Sequence, residues 1–450
     1  MPRLLLLSLM LAALPYPLHG QTTDPLREQS TAWNEAIRAA TESFAQQHYN
    51  EAELQFLKAQ KVAELFGPFH PHVGTTLNNL AELYVREARY REAEPLFKRA
   101  LSIWERADAS STAATIAKAT VLNNLAALYE YQSRFSESEP LYRQCLAQRE
   151  KVLGPENPDV ASTLNNLGAL YWELGKMADA EPLYRRALFI KEKKLSANDP
   201  ALAPALNNLA ALYVSEGKTA EGEALLKRAL SIRQAALAPD HPDVGNSLNN
   251  LAALYSREGR YSEAEPMYLR ALAIASNSLG PSHPGVASSL MNLADLYQSE
   301  KRYAEAEHFY KQALEIREKA LGPDHPDVAQ SLENVAGVLI LESRQINVDL
   351  LYLRALDIRK KVFGAESQQV VACLNDLGVA YAKEGKLSEA ERTFSESLAI
   401  LFRKTQLDAP TLAIVYANLS NLYEMEGKHR KARKMAERAN AFREREGAPG

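Results

Sequence analysis

LNNLAALYSREGRYSEAEPMYLRALAI, residues 248 to 274, decides the fold. Leu248, Leu251, Ala252 and Tyr255 fall at offsets zero, three, four and seven, which places them on one stripe of a helix. After Gly259 the period restarts. Ala264, Met267, Tyr268, Ala271 and Leu272 mark a second amphipathic helix, with Glu263, Glu265 and Arg270 on its polar side. Neither helix can bury its stripe alone. The stretch returns every 42 residues, at Leu122, Leu164, Leu206, Leu248, Leu290, Leu332 and Leu374, so stacked copies cover one another and the expected architecture is an all-α solenoid of helical hairpins.

Working outward, copies start near residues 36, 77, 122, 164, 206, 248, 290, 332, 374 and 416, about ten hairpins. The first, from Ala36 to Phe66, keeps Phe44, Tyr49, Ala52, Phe56 and Ala59 but loses Leu-Asn-Asn-Leu, as a terminal repeat with one bare face should. Gly175, Gly217, Gly259, Gly385 and Gly427 stand where a first helix must end in a left-handed residue. Asn157-Pro158 and Asp199-Pro200 pair a capping side chain with a proline at the first helical position, and His70, His241, His283 and His325 occupy the same place. Pro95, Pro140, Pro182 and Pro266 are expected within about one turn of the start of the second helix, where a missing N–H costs little. The eighth copy is irregular: its loop reads ESRQINVDLL (342–351), and Val348 replaces a small residue, so its helix pair should be the weakest joint.

The spacing L-x2-L-A-x2-Y, then A-x3-Y and a later Pro (Pro284), resembles the tetratricopeptide consensus. The 42-residue period, the junctions GPENPDV (154–160), APDHPDV (238–244) and GPDHPDV (322–328), and L-N-N-L-A are similar to the kinesin-light-chain subtype of that family. The resemblance implies a right-handed α-α superhelix, with first helices lining a concave groove that binds proteins or peptides. It fixes fold more sharply than function, because one fold hosts many functions.

The chain has 450 residues, 46% hydrophobic and 24% charged, enough material for a long continuous core. A net charge of −4 gives it no electrostatic reason to seek nucleic acid or an anionic membrane. Residues 1–20 stand apart: Arg3, an apolar run from Leu4 to Leu14, then Pro15, Pro17 and Gly20 read as a secretory signal, too short for a stable membrane span. Export to a periplasm or the medium is the expectation if the signal is used, with the mature chain starting near Gln21; otherwise the protein is cytoplasmic. Residues 21–32 read as a flexible lead and 33–450 as the solenoid. Cys145 and Cys373 are the sole cysteines, and the small residues matched to Cys145 mark it as a buried thiol.

The recurring Asn pair is the leading candidate site. Asn78, Asn123, Asn165, Asn207 and Asn249 lie beside the apolar stripe, and an amide offers the donor and acceptor that an extended backbone needs. The resemblance turns them toward a ligand; an amide ladder bonding one copy to the next is the competing reading, and it is favoured for the second Asn of each pair. The position matched to Asn249 becomes Met291, Glu333 and Ala417 in copies seven, eight and ten, so this recognition is expected in the N-terminal half. Further along the same face, residues differ from copy to copy. Tyr131 and Trp172 are aromatic anchor candidates there, with Arg86 and Arg257 as cationic ones.

A cation follows each first helix, at Arg89, Arg134, Lys176, Lys218, Arg260, Arg302, Arg344, Lys386 and Lys428, where it complements the helix dipole. Acids beside these cations remove any sustained positive field. No metal site is expected from the His series, since equivalent residues of successive copies cannot share one ion. No cofactor is implied, and no catalytic motif appears. The sequence therefore reads as a non-catalytic scaffold for a peptide or protein segment of unknown identity. A self-associating structural unit and an enzyme with an unrecognised site are the alternatives.

Overall fold

The computed structural model describes residues 24–46, 48–108, 110–344, 348–403 and 408–446. Within them the chain is all-α, in two compact units that divide after Arg260. The first unit pairs α1 (Asp24–Ala45) with α2 (Tyr49–Glu64), α3 (Pro71–Arg86) with α4 (Tyr90–Arg106), and α5 (Thr112–Tyr131) with α6 (Phe135–Leu153). It continues with α7 (Pro158–Glu173) on α8 (Met177–Lys194), α9 (Ala203–Ser215) on α10 (Thr219–Ala236), and α11 (Pro242–Arg257). The second unit starts with α12 (Tyr261–Leu279) and pairs α13 (Pro284–Ser299) with α14 (Tyr303–Leu321), and α15 (Pro326–Leu341) with α16 (Val348–Phe363). It ends in α17 (Gln368–Lys383) with α18 (Leu387–Arg403), and α19 (Ala409–Met425) with α20 (His429–Glu446).

The periodic residues form the core. Val160, Ala161 and Leu164 of α7 close with Ala187 and Ile190 of α8 into one buried cluster. Burying a Leu side chain of this kind stabilises by about 1.5–3 kcal/mol. Glycine replaces alanine where a second-helix ring comes too near: a Cβ on Gly168 would lie 2.8 Å from the Tyr184 ring, and one on Gly378 2.6 Å from Phe394. Cys145 and Cys373 are both buried free thiols.

The junction chemistry is carried by histidine where asparagine or aspartate is absent. The Nδ1 atoms of His70, His241, His283 and His325 accept from the N–H groups of His72, Asp243, Gly285 and Asp327 at 2.9–3.2 Å. Asn157 and Asp199 do the same for Asp159 and Ala201, both at 2.9 Å. A ring nitrogen can cap a helix in this way only while the imidazole is neutral. Burial pushes His70 and His283 below the usual histidine range, which favours that form.

Each loop cation does more than complement a dipole. Its N–H donates to the carbonyl five residues back, a tyrosine in every copy but that of Arg344, as Arg89 does to Tyr84 and Arg260 to Tyr255, both at 2.8 Å, closing the helix end. Its side chain then covers the tyrosine ring: Arg89, Arg134, Arg260 and Arg302 stand 3.8–4.0 Å from the centroids of Tyr84, Tyr129, Tyr255 and Tyr297. The phenol reaches back to a glutamate on the second helix of the preceding copy. The pairs Tyr84–Glu53, Tyr129–Glu94, Tyr171–Glu139, Tyr213–Glu181, Tyr255–Glu223, Tyr297–Glu265 and Tyr423–Glu391 are all between 2.6 and 3.3 Å. Adjacent copies are thus clamped by ring, carboxylate and cation together.

Two expectations are corrected. Residues 24–32 are not a flexible lead but the opening turns of α1, because a helix anchored by buried Trp33, Ala36 and Ile37 extends outward through polar residues. Pro95, Pro140, Pro182 and Pro266 are each the sixth residue of their helix, in the second turn, so each leaves a carbonyl without its usual N–H. In the eighth copy α16 begins at fully buried Val348, while residues 345–347 of the altered loop, like residues 1–20 with their expected signal, lie outside the described residues. Among the described residues no helix is long and apolar enough to cross a membrane.

Candidate functional site

The first helices of the first unit bring the Asn pairs into one row. At its start the row is closed. Asn124 donates through Nδ2 to Asn78 Oδ1 at 3.2 Å, and Asn166 to Asn123 Oδ1 at 3.0 Å, so the second amide of one copy bonds the first amide of the copy before it. Asn78 and Asn123 are fully buried. This corrects their assignment to a ligand-facing surface: where α3, α5 and α7 pack side by side, the amides meet each other, and a buried amide left unmet is costly.

One copy later the bonding stops. Asn165 and Asn207 are 1% and 5% exposed, yet the Nδ2 and Oδ1 atoms of both meet no partner. Oδ1 of the half-buried Asn249 is also unmet. From α7 through α11, then, the row holds donors and acceptors without a protein partner, enclosed at Asn165 and Asn207 and more open toward Asn249.

Cations lie beneath the row. Arg149 of α6 donates to the Asp159 carbonyl at 3.0 Å and to Thr163 Oγ1 at 2.8 Å, one turn from Asn166. Arg233 repeats this on the Asp243 carbonyl and Ser247 at 3.0 and 2.9 Å, and Lys191 reaches the Ala201 carbonyl at 3.3 Å. The Nε atoms of Arg149 and Arg233 are buried and unmet, and the closest carboxylate to Arg233 is Asp243 at 3.9 Å. Burial pushes Lys191 and Arg233 down from their ordinary values. At the closed end, burial pushes Glu82 up to about 8 against the pull of Arg86, so this 2%-exposed carboxyl holds its proton at neutral pH.

The other candidates are dispersed. Trp172 is half-buried and donates through Nε1 to Ser215 of the next copy at 3.2 Å. Tyr131 is half-buried and stacks on Tyr90, with ring centroids 6.1 Å apart and planes 10° from parallel. Arg86 and Arg257 point into solvent. Trp172 and Tyr131 therefore lean on neighbouring copies, leaving part of each ring exposed.

The second unit carries a different floor. Met291 is buried, Glu333 is held by Arg359 through two bonds of 2.7 and 2.5 Å, and Asn418 donates to Asn375 at 2.7 Å. At these positions the polar side chains meet one another, as the loss of the first Asn in three of its copies leads one to expect, although Arg317 Nε is buried and unmet like its counterparts in Arg149 and Arg233. Among the described residues no group of three or more His, Cys, Asp or Glu side chains could hold a metal ion.

The buried cations were within reach of sequence reasoning. Arg149, Lys191, Arg233, Arg317 and Arg359 keep the 42-residue register apart from one break at Ala275, but on an amphipathic wheel they read as part of the polar face.

The profile described as tetratricopeptide repeat matches residues 28–106, 118–193, 201–277, 248–319, 285–345 and 351–402. No curated protein sequence matches the chain. Among solved structures, BtubC (BKLC) from P. vanneervenii is 26% identical with a TM-score of 0.45, over 51% of this chain and 92% of its own. A kinesin light chain from P. anserina with nearly identical TPR-like repeats is 25% identical with a TM-score of 0.41, over 46% and 99%. A Rap protein complexed with competence and sporulation factor is 12% identical with a TM-score of 0.51, over 83% and 98%, a likeness of fold alone.

Proposed function

Since the chain belongs to the tetratricopeptide-repeat family, we propose that it is a non-catalytic interaction scaffold that holds an extended peptide or protein segment along Asn165, Asn207 and Asn249. One observation carries this reading: the amide row is bonded from Asn78 to Asn166 and unmet from Asn165 to Asn249. An unsatisfied buried polar group costs about 1–3 kcal/mol, and a peptide backbone supplies both the donor and the acceptor that remove the cost. The buried cations Arg149, Lys191 and Arg233 beneath the row, the last with its nearest carboxylate as far as 3.9 Å away, favour a segment bearing carboxylates. We further propose that the protein acts after export, on the strength of Arg3 and the Leu4 to Leu14 run.

The test is the double variant Asn165→Ala, Asn207→Ala, with the partner captured from the exported fraction by the unmodified chain. Two lost hydrogen bonds should weaken binding roughly 5- to 150-fold. Thermal stability should hold, because amides without partners are removed. A lowered melting temperature with unchanged affinity would sink the assignment. A chain that captures only copies of itself would favour a structural assembly unit.

A further inference from the structure

Outside the amide row, the second helices of neighbouring copies are strapped by an ion pair in one recurring register. Arg99 meets Glu64 at 3.2 Å, Arg186 meets Glu150 at 2.7 Å, Arg228 meets Glu192 at 2.6 Å and Arg354 meets Glu318 at 2.5 Å. Between α16 and α18 the signs are exchanged, with Lys360 on Glu396 at 3.1 Å. The 42-residue register puts Ser276 of α12 and Gln312 of α14 at the same pair of positions. Neither is charged, and Gln312 turns along its own helix to His308 at 3.1 Å.

Between α12 and α14, where the strap is missing as it also is at Glu105 and Gln144, there is a cavity of about 390 Å³. Its floor is apolar: Leu272, Pro281, Val286, Leu290 and Ile316. Ser276, Ser282 and Gln312 stand around it as uncharged hydrogen-bonding groups. The charged side chains at its edge, Glu315 and Lys319, pair with each other at 2.6 Å and leave no net charge to satisfy.

We propose that this cleft between α12, α13 and α14 is a binding site for a small, neutral, amphipathic molecule built on one ring system. The volume lies near the lower end of the ~300–1,000 Å³ typical of ligand sites, which suits a single ring system. Neutrality follows from the chemistry of the walls, since a charge set on the apolar floor would lose its hydration without gaining a counter-ion. A protein surface fits poorly, because a stable interface covers about 800 Å² on each partner, and this apolar floor ends at the exposed ion pair of Glu315 and Lys319. The site does not depend on the amide row and lies wholly in the second unit.

The probe is indole, titrated into the full chain while methyl resonances of Leu272, Val286, Leu290 and Ile316 are followed. Saturable shifts confined to these methyls are expected. Restoring the strap with Ser276→Glu and Gln312→Arg should weaken binding at least tenfold while the chain stays folded. Ser276→Phe, which fills the cleft without adding charge, should do the same. Indole-3-acetate and tryptamine, carrying one negative and one positive charge, should each bind at least tenfold more weakly than indole. Absence of saturable shifts up to the solubility limit, or undiminished binding to both variants, would overturn the site. Equal affinity for either charged analogue would overturn the proposed ligand class.

Discussion

The phenol of Tyr255 donates to Glu223 at 3.0 Å, across the junction from the first helix of copy six to the second helix of copy five. The same carboxylate receives Lys227 at 2.7 Å and Arg260 at 3.1 Å. Lys227 foremost, against the desolvation of the half-buried carboxyl and with Tyr255 and Arg260 assisting, holds Glu223 down to about 2. Its folded value is thus below its unfolded one, so its stabilising contribution is complete above pH ~4.5 and disappears as pH falls toward 2. Urea unfolding between pH 7 and 2.5 should show a steeper acid loss for the native chain than for Glu223→Gln. Tyr255→Phe should cost about 0.5–1.5 kcal/mol at pH 7.

Lys301 has φ +62°, a left-handed conformation taken at the equivalent place by Gly175, Gly217 and Gly259. An L side chain there costs roughly 1–2 kcal/mol, partly offset because glycine is freer in the unfolded chain by about 0.4–1 kcal/mol. Lys301→Gly should therefore raise stability by about 0.5–1 kcal/mol, and Gly259→Ala should lower it. Chemical denaturation of the two variants checks the signs.

Copy eight breaks the clamp in a specific way. Leu339 stands where the tyrosine belongs, so Arg344 pairs with Glu307 and Glu342 without a ring beneath it, and Glu307 receives no phenol. With the irregular loop, this makes residues 340–352 the expected first opening. Hydrogen exchange should be faster there than at the matching loops of copies four to six, and equal protection would contradict the reading.

Export predicts a mature N-terminus near Gln21. N-terminal sequencing of protein recovered outside the cytoplasm reads this directly. Retention of Met1 in all of the protein would remove the basis for placing its partner in an exported fraction.

The fold was legible because burial repeats with the chain: Leu164, Tyr171 and Ala187 recur at a fixed interval, and a stripe at helical spacing has few other uses. The amide row was only half legible. That Asn123 and Asn165 share a register says nothing of the distance to the next helix, and this distance determines that Asn166 reaches Asn123 while Asn165 remains unmet. The clamps had left a signal, since Glu181, Glu223 and Glu265 keep step with Tyr213, Tyr255 and Tyr297. Read one copy at a time, such a glutamate is an acid near a helix start, and its partner in the following copy goes unseen. Histidine caps escaped for a different reason: imidazole seldom serves there, so the His-Pro pairs showed the position but not the bond.

Every clamp is also oriented along the chain. Glu53 precedes Tyr84 and Arg89, Glu94 precedes Tyr129 and Arg134, and Glu391 precedes Tyr423. During synthesis, each hairpin leaving the ribosome therefore meets a predecessor whose acceptor is already in place, and the carboxylate that awaits its donors can meanwhile be hydrated by water. Within each unit a pause between copies leaves a solvated acid at the growing edge, while every phenol and guanidinium emerges with its partner already made.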